Sequence, residues 1–366
     1  TLFTTRIESC RQFQCKAKFN TCIFQLSKRI IMEKIAATKV QHLLRCTEKY
    51  NFRKTKIKLF TSNSNQIVRL DGIILHALME DLINSRNYSP SSQEIKDLIV
   101  NEEKKHFEDE LLYTSLDFIR TQSIVDAVKN TLFNIQNKFN LDEYKVETEK
   151  QYVNNDLFIG TADLVLSNEK DSVVLDYKSG YVLDDSNEIK TNFSDQVLVY
   201  QYLESLENKG AVIKGYLSDK YGNLHEVKND IEDFTKLKSN VEEHIESIKL
   251  NKQIIPKDDE CNKCSFGNIC EFYSFTTDDI QNTNFLNGKV ESISHTAKDY
   301  LINITGTKGL IDNQVIIIQV PRVQMSNLEE IIELDQLITI GPTKFLQAVE
   351  GKFYFRVFNY FDIFLI

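Results

Sequence analysis

Hydrophobic positions along this chain change their period several times. Between Lys34 and Tyr50, Val40, Leu43 and Leu44 recur at helical spacing, with Thr38 placed to cap the start, which predicts an amphipathic helix. Val68–Ile83 carries a second helical pattern, and Gln93–Lys138 is helix-rich, with interleaved charges and no Pro or Gly. The period then falls to two. Glu147–Val153, Leu157–Leu166 and Ser172–Lys178 read as strands, with Ser167–Asp171 as the turn between the last two. Phe193–Glu207 returns to helix, Val212–Leu217 and His225–Val227 are strand-like around a Tyr221-Gly222-Asn223 turn, and Phe234–Leu250 is helical. A short cysteine-rich loop follows.

From about Asn284 the pattern is different. Strand-like runs are Gly288–Ile293, Tyr300–Thr305, Val315–Val320, Gln336–Ile340 and Phe353–Phe364, with one helical pattern, Asn327–Leu334, between the third and fourth. Three strands, a helix and two strands is the order of an OB-fold barrel. A generic β-subdomain packed on the rest of the chain is the equal alternative. The predicted class is α/β, divided into an extension over 1–31, a main domain over 32–280 and a β-rich, OB-like domain over 281–366.

Composition narrows the classes. The formal net charge of −9 argues against a surface that is basic throughout, so nucleic-acid binding would need a local basic patch. No apolar run is long enough to span a bilayer, so a soluble chain with no membrane partner is expected. Thr1–Ile31 is basic, holds Cys10, Cys15 and Cys22, and has Glu8 as its only acid; it lacks the apolar core of a signal peptide. It reads as an upstream extension of a cytoplasmic protein, with an organelle transit peptide as the alternative. Seven cysteines without a secretion signal suggest a reducing compartment, where clustered Cys more often bind metal than form disulfides.

The candidate chemistry starts at the middle strands. Asp163 and Asp176 fall on neighbouring strands joined by a short turn, which can bring their carboxylates together at one end of a hairpin. Lys178 follows Asp176 by two, so both leave the strand on one face. Hydrolysis of a phosphodiester needs a nucleophilic water and neutralised charge in the transition state, and a hard cation held by carboxylates does both. An ordinary exposed strand end is the competing reading. His76 on its apolar helix would usually be a core residue, and Gln196 and Tyr200, four apart, share a helix face that could equally pack on the sheet. Glu149, on the strand before Asp163, is a further candidate. Cys261, Cys264 and Cys270 place three soft ligands within ten residues, fitting a zinc knuckle or an iron–sulfur cluster. Lys49, Arg53, Lys54, Lys56 and Lys58, interleaved with Tyr50 and Phe52, form either a solvated face or a track for a nucleic-acid backbone.

Taken in order, Gly72…His76, Gly160-Thr161-Ala162-Asp163, Asp176-Tyr177-Lys178 and Gln196…Tyr200, bracketed by Cys46 and the three later cysteines, resemble a known family. It is the RecB-type branch of the PD-(D/E)XK nuclease superfamily, in the iron–sulfur subgroup that includes AddB and the CRISPR-adaptation nucleases. The resemblance covers roughly residues 35–275. It implies a mixed central sheet flanked by helices, with Mg²⁺ or Mn²⁺ held by His76, Asp163, Asp176 and the Tyr177 carbonyl. It further implies that Lys178 assists the water and that Gln196 and Tyr200 act in substrate engagement and metal support; beside such a core, the basic run with Arg53 and Lys54 is expected to contact the DNA backbone. Cys46, Cys261, Cys264 and Cys270 would ligate a four-iron–four-sulfur cluster, which the resemblance favours over zinc. The family often has Pro where this chain has Thr47 and Ser265. The expected function is a metal-dependent DNA nuclease acting as an exonuclease on single strands or free ends. A noncatalytic nucleic-acid-binding protein and a defence-type endonuclease are the rivals. No Walker A loop is present, so unwinding would come from a helicase or another repair or defence partner.

Overall fold

The computed structural model describes residues 34–52, 58–106, 118–153, 155–228, 231–250, 264, 266, 270, 285–307, 313–325 and 328–365. A mixed sheet is built from strands between Ile35 and Val227. Its strands are β1 (Ile35–Ala36), β3 (Lys145–Tyr152), β4 (Phe158–Ser167), β5 (Asp171–Tyr177), β6 (Val212–Ser218) and β7 (Leu224–Val227). β4 is antiparallel to β3 and β5 and parallel to β1; β5 and β6 run parallel, and β7 closes the edge antiparallel to β6. The β4–β5 turn is fixed by Asn168, whose Oδ1 accepts the amides of Lys170 and Asp171 at 2.8 Å each.

Helices cover both faces, as a sheet buried on two sides requires. On one side, α3 (Asn63–Asn84), α4 (Ser92–His106) and α5 (Phe118–Lys138) pack on Leu164, Leu166, Val173, Leu175 and Tyr177. On the other, α1 (Val40–Arg45), α6 (Thr191–Glu207) and α7 (Ile231–Lys249) pack on Val165 and Val174. The alternation along β5 therefore assigns each residue to one helical layer. Each fully buried Leu, Ile or Val contributes about 1.5–3 kcal/mol.

Three expectations change here. The stretch Lys34–Tyr50 is not one helix. Ile35–Ala36 pairs with Phe158–Ile159, a 3₁₀ turn follows, and Cys46, with extended backbone (φ −161°, ψ 114°), separates α1 from α2 (Thr47–Phe52). Thr38 caps nothing, because α1 starts after Lys39 and has no side-chain cap. Gly72 lies well inside α3. Tyr50 is buried with α1 and α7, so it is a core residue and not an aromatic beside an exposed basic track.

The last strands, β8 (Leu286–His295), β9 (Asp299–Gly306), β10 (Val315–Pro321), β11 (Leu337–Val349) and β12 (Lys352–Leu365), form a closed circuit. β8 pairs β9, β9 pairs β10, β10 pairs β12 in parallel, β12 pairs β11, and β11 returns to β8. The short helix α8 (Leu328–Ile331) lies between β10 and β11, which is the element order of an OB barrel. A strand from far upstream joins this sheet: β2 (Lys58–Thr61) pairs with Asp362–Leu365 of β12. Ser62 then ties the start of α3 to the barrel, donating its N–H to Phe361 O at 3.0 Å and accepting the Phe361 amide on Oγ at 3.2 Å. The helix that carries His76 thus springs directly from a barrel strand. No helix among the described residues is long and apolar enough to cross a membrane.

Candidate active site

The end of the β4–β5 hairpin gathers the charged residues of the middle motifs. Asp163 Oδ2 accepts the Tyr177 amide at 2.5 Å, which locks the two strand ends together. Asp176 Oδ1 accepts from Gln196 Nε2 at 2.8 Å. Its buried Oδ2 accepts no hydrogen bond of good geometry and faces the Lys178 ammonium at 2.5 Å. Lys178 Nζ donates to Gln196 Oε1 at 3.1 Å and lies 5.1 Å from the Phe193 ring centroid. The Lys178 amide donates to Ser218 O at 2.8 Å, so the strand end is held while the side chain reaches into the site.

His76 enters from α3. Its Nδ1 lies 3.2 Å from Asp163 Oδ1 and 4.0 Å from Glu149 Oε1, and its Nε2 lies 3.1 Å from Tyr177 O. Both ring nitrogens face oxygen acceptors, which suits a doubly protonated ring. Burial pushes the imidazole pKa down, but the hydrogen bond and charge of Asp163, then the charges of Asp176 and Glu149, push it up further, and the net value is raised. Burial and the neighbouring Asp163 charge push Asp176 up to about 7 despite Lys178 and His76. Glu149 is also raised, first by burial and then by Asp163. One ligand atom each from His76, Glu149 and Asp163 fall within 4.8 Å of one another. An imidazole among carboxylates is a donor set that suits Mn²⁺ as well as Mg²⁺.

Glu149 is the residue the sequence signalled least. Its φ is +49°, a left-handed conformation rare outside glycine. It stands between the pairs Thr148↔Leu164 and Lys150↔Ala162, across from Asp163. β4 changes face at the same level: Ala162 packs with the α6 layer and Leu164 with the α3 layer, although residues two apart should share a face. Regular period-two pattern gave no sign of this; an acid on the strand facing Asp163 was the only available signal.

Glycines and aromatics set the spacing behind the carboxylates. A Cβ on Gly160 would lie 2.5 Å from Tyr200 Cε1, so the glycine of the Gly160-Thr161-Ala162-Asp163 motif makes room for the tyrosine of the Gln196…Tyr200 motif. Gln196 and Tyr200 are both buried, and Gln196 also donates to the Tyr200 hydroxyl at 3.1 Å. They support Asp176 and Lys178 from behind. Tyr200 stacks on Tyr152 (6.5 Å, 27°), and the Tyr152 hydroxyl donates to the buried Glu204 at 2.7 Å. Glu204 also accepts from Lys150 at 2.6 Å and Ser172 at 2.8 Å. On the other side, a Cβ on Gly72 would sit 3.4 Å from Ser179 Oγ, so α3 passes close to the chain just after Lys178.

The structure thus brings together His76, Asp163, Asp176, Tyr177, Lys178, Gln196 and Tyr200. Cys46 sits in the break between α1 and α2, partly buried, with its Sγ accepting the Lys49 amide at 3.4 Å. Cys264 and Cys270 are buried, and the Cys270 amide donates to Phe266 O at 3.1 Å. The helix leading toward them, α7, is joined to the end of α1 by a 3.1 Å contact of His244 Nε2 with Leu44 O, two residues before Cys46. Cys261, Arg53 and Lys54 lie outside the described residues.

Among curated proteins none matches this chain. A solved structure described as "Crystal structure of SSO0001" is similar at 14% identity and a TM-score of 0.29, over 72% of this chain and 99% of that one. The sequence model of the PD-(D/E)XK nuclease superfamily matches residues 34–271, a span that contains every motif of the site just described. The chain belongs to the PD-(D/E)XK nuclease superfamily.

Proposed function

We propose that this protein hydrolyses phosphodiester bonds in DNA with Mg²⁺ or Mn²⁺, as an exonuclease on single strands or free ends of the RecB type. The observation that carries the reading is the convergence of His76, Asp163, Asp176 and Lys178 at one end of the β4–β5 hairpin, with two buried acids kept adjacent. Superfamily membership makes divalent-metal nuclease chemistry the frame. His76, Asp163, Asp176 and the Tyr177 carbonyl would hold the cation, with Glu149 beside them. When bound, that cation supplies charge neutralisation on the phosphate and an acidified water. Lys178, held by Gln196, places its ammonium beside Asp176, where it orients a water for attack. Gln196 fixes both partners, and Tyr200 fixes Gln196.

A four-iron–four-sulfur cluster on Cys46, Cys261, Cys264 and Cys270 is part of the same proposal. It is supported by the spacing of the thiols, by the burial of Cys264 and Cys270, and by the α1–α7 contact beside Cys46. Thiolates at this spacing suit a soft metal centre. The cluster would fasten the two ends of the nuclease fold. Anaerobically purified protein should be brown and hold iron; stoichiometric zinc without iron in iron-replete cells contradicts the cluster.

The test of activity is a digestion panel of linear and circular, single- and double-stranded DNA with Mn²⁺, Mg²⁺ or EDTA. The reading expects cation-dependent loss of linear strands and sparing of closed circles. Nicking of circles would favour a defence-type endonuclease. No cleavage by cluster-containing protein with either cation would leave a noncatalytic nucleic-acid-binding protein. Unwinding activity, where needed, is assigned to a helicase or other repair partner.

A further inference from the structure

Three residues past Lys178, on the loop that leaves the catalytic strand, Tyr181 is 58% exposed. Tyr221, on the β6–β7 turn, is 50% exposed. The two hydroxyls are 3.2 Å apart and the rings meet edge to face, 6.0 Å between centroids at 70°. The Lys220 ammonium lies 3.8 Å from the Tyr181 centroid and 4.8 Å from that of Tyr221. Two large exposed aromatics from separate loops meet here, with the Lys220 ammonium of the β6–β7 turn over both rings.

The turn that presents them is rigid. Asp219 Oδ1 accepts the amides of Tyr221 and Asn223 at 2.8 and 3.0 Å, and Oδ2 meets Asn223 Nδ2 at 3.1 Å and His225 Nε2 at 2.9 Å. From α5, Asn130 donates to Tyr221 O at 2.9 Å and Asn134 to Gly222 O at 2.8 Å. Gly222 has φ +80° and no room for a Cβ, which would lie 2.6 Å from Ala127 O. The Tyr181 loop is held by Lys190 Nζ on Tyr181 O at 2.7 Å and by the Lys220 amide on Gly180 O at 3.2 Å. A side chain that only covered core would not need this much scaffolding to remain in water.

We propose that Tyr181, Tyr221 and Lys220 form a base-stacking platform for a single nucleic-acid strand entering or leaving the nuclease site. The ligand class rests on the nuclease reading; the platform itself rests on the geometry of these three residues. Aromatic faces take successive bases without regard to sequence, and a lysine beside them serves the phosphate backbone. Continuity with the site fixes the occupant. The three-residue span from Lys178 to Tyr181 covers at most about 11 Å, and the ends of the parallel strands β5 and β6 are tied together by the Lys178 amide on Ser218 O and the Lys220 amide on Gly180 O. A strand lying on the rings would therefore be the same strand whose phosphate enters the site beside Lys178.

The chain contains no tryptophan, so Tyr181→Trp and Tyr221→Trp each introduce a single fluorescent reporter that keeps an aromatic face. In EDTA, a short single-stranded oligodeoxynucleotide should quench both reporters. An abasic strand with the same number of phosphates should not. By fluorescence anisotropy, Tyr181→Ala and Tyr221→Ala should each weaken binding of the normal strand by about five- to hundredfold and leave the abasic strand unaffected. Lys220→Ala should reduce the slope of log affinity against log salt by about one. Wild-type affinity in both alanine variants, or equal losses for normal and abasic strands, overturns the platform. Cleavage by wild-type protein with Mn²⁺ is measured alongside. Quenching without cleavage keeps the platform and sinks the nuclease reading; cleavage without quenching does the reverse.

Discussion

Both sheets are closed by apolar residues, yet among the described residues the barrel buries only neutral polar side chains, Asn287, Thr339 and Thr343. The mixed sheet and its helices bury Glu102, Glu103, Asp163, Asp176, Glu204 and Asp219. Burying a charge costs several kcal/mol unless it is paired or neutralised. Four of these acids are each answered by a nearby cation or donor, Glu103 through one oxygen only. Glu103 meets Arg120 at 3.1 Å, Glu204 collects Lys150, Tyr152 and Ser172, Asp219 collects its own turn and His225, and Glu102 pairs with Lys105. Asp163 and Asp176 differ, because they are also set against each other, and the charge of Asp163 raises the cost of ionising Asp176. A fold that can build an acid-free barrel core has not placed two adjacent buried carboxylates for stability. The contrast separates residues that hold the fold from residues that the fold holds in place.

That contrast yields predictions of graded size. The largest concerns an acid that serves the fold. Glu204→Ala leaves Lys150 without its buried partner and should cost about 3–5 kcal/mol, read from urea unfolding, with activity lost only in proportion to unfolding. Gly160→Ala comes next. It drives a methyl into the Tyr200 ring, and overpacking of this kind costs about 1–3 kcal/mol. Because Tyr200 supports Gln196, cleavage should fall beyond what the stability loss explains, and a variant as active as wild type would uncouple the two motifs.

An acid held for function behaves in the opposite sense. Asp176 and His76 both have raised values, so between pH 3.8 and about 7 for the first, and from 6.5 upward for the second, the folded protein holds more protons than the unfolded chain. Their contribution is present in full at low pH and is lost as pH rises. Metal-free protein should therefore melt at a higher temperature in Asp176→Asn than in wild type at pH 8, with the gap closing toward pH 5. Mn²⁺ should reverse the order at pH 8, since only the ionised site binds it. The smallest effect is expected in the barrel. Thr339→Val removes a 2.8 Å hydrogen bond to Asn287 Oδ1 and should cost about 1 kcal/mol with no change in pH dependence.

Much of the site was legible because its residues are spaced by strand and helix geometry. Asp176 and Lys178 share a strand face, and Gln196 and Tyr200 share a helix face, as their separations of two and four require. What the sequence hid was set by contacts distant in the chain. Ile35–Ala36 reads as helix but pairs with β4, and Cys46 breaks the helix that the periodicity around it suggests. Lys58–Thr61 reads as the end of a basic run, yet its backbone completes a sheet whose other strands begin more than two hundred residues later. That pairing also ties α3, and with it His76, to the barrel, a dependence no local pattern reveals. The +49° φ at Glu149 breaks the alternation by which strand positions are read.

The central claim is that Asp163, Asp176 and Lys178 form a metal-dependent hydrolytic site. Its most direct measurement is cleavage of a linear single-stranded DNA by anaerobically purified protein in Mn²⁺, comparing wild type with Lys178→Ala at matched thermal stability and matched Mn²⁺ affinity by calorimetry. Wild type should cleave and EDTA should stop it. Lys178→Ala should still bind Mn²⁺ and remain folded, and should lose cleavage by about a hundredfold or more. Full activity in Lys178→Ala, or cleavage by wild type that persists in EDTA, would contradict the account.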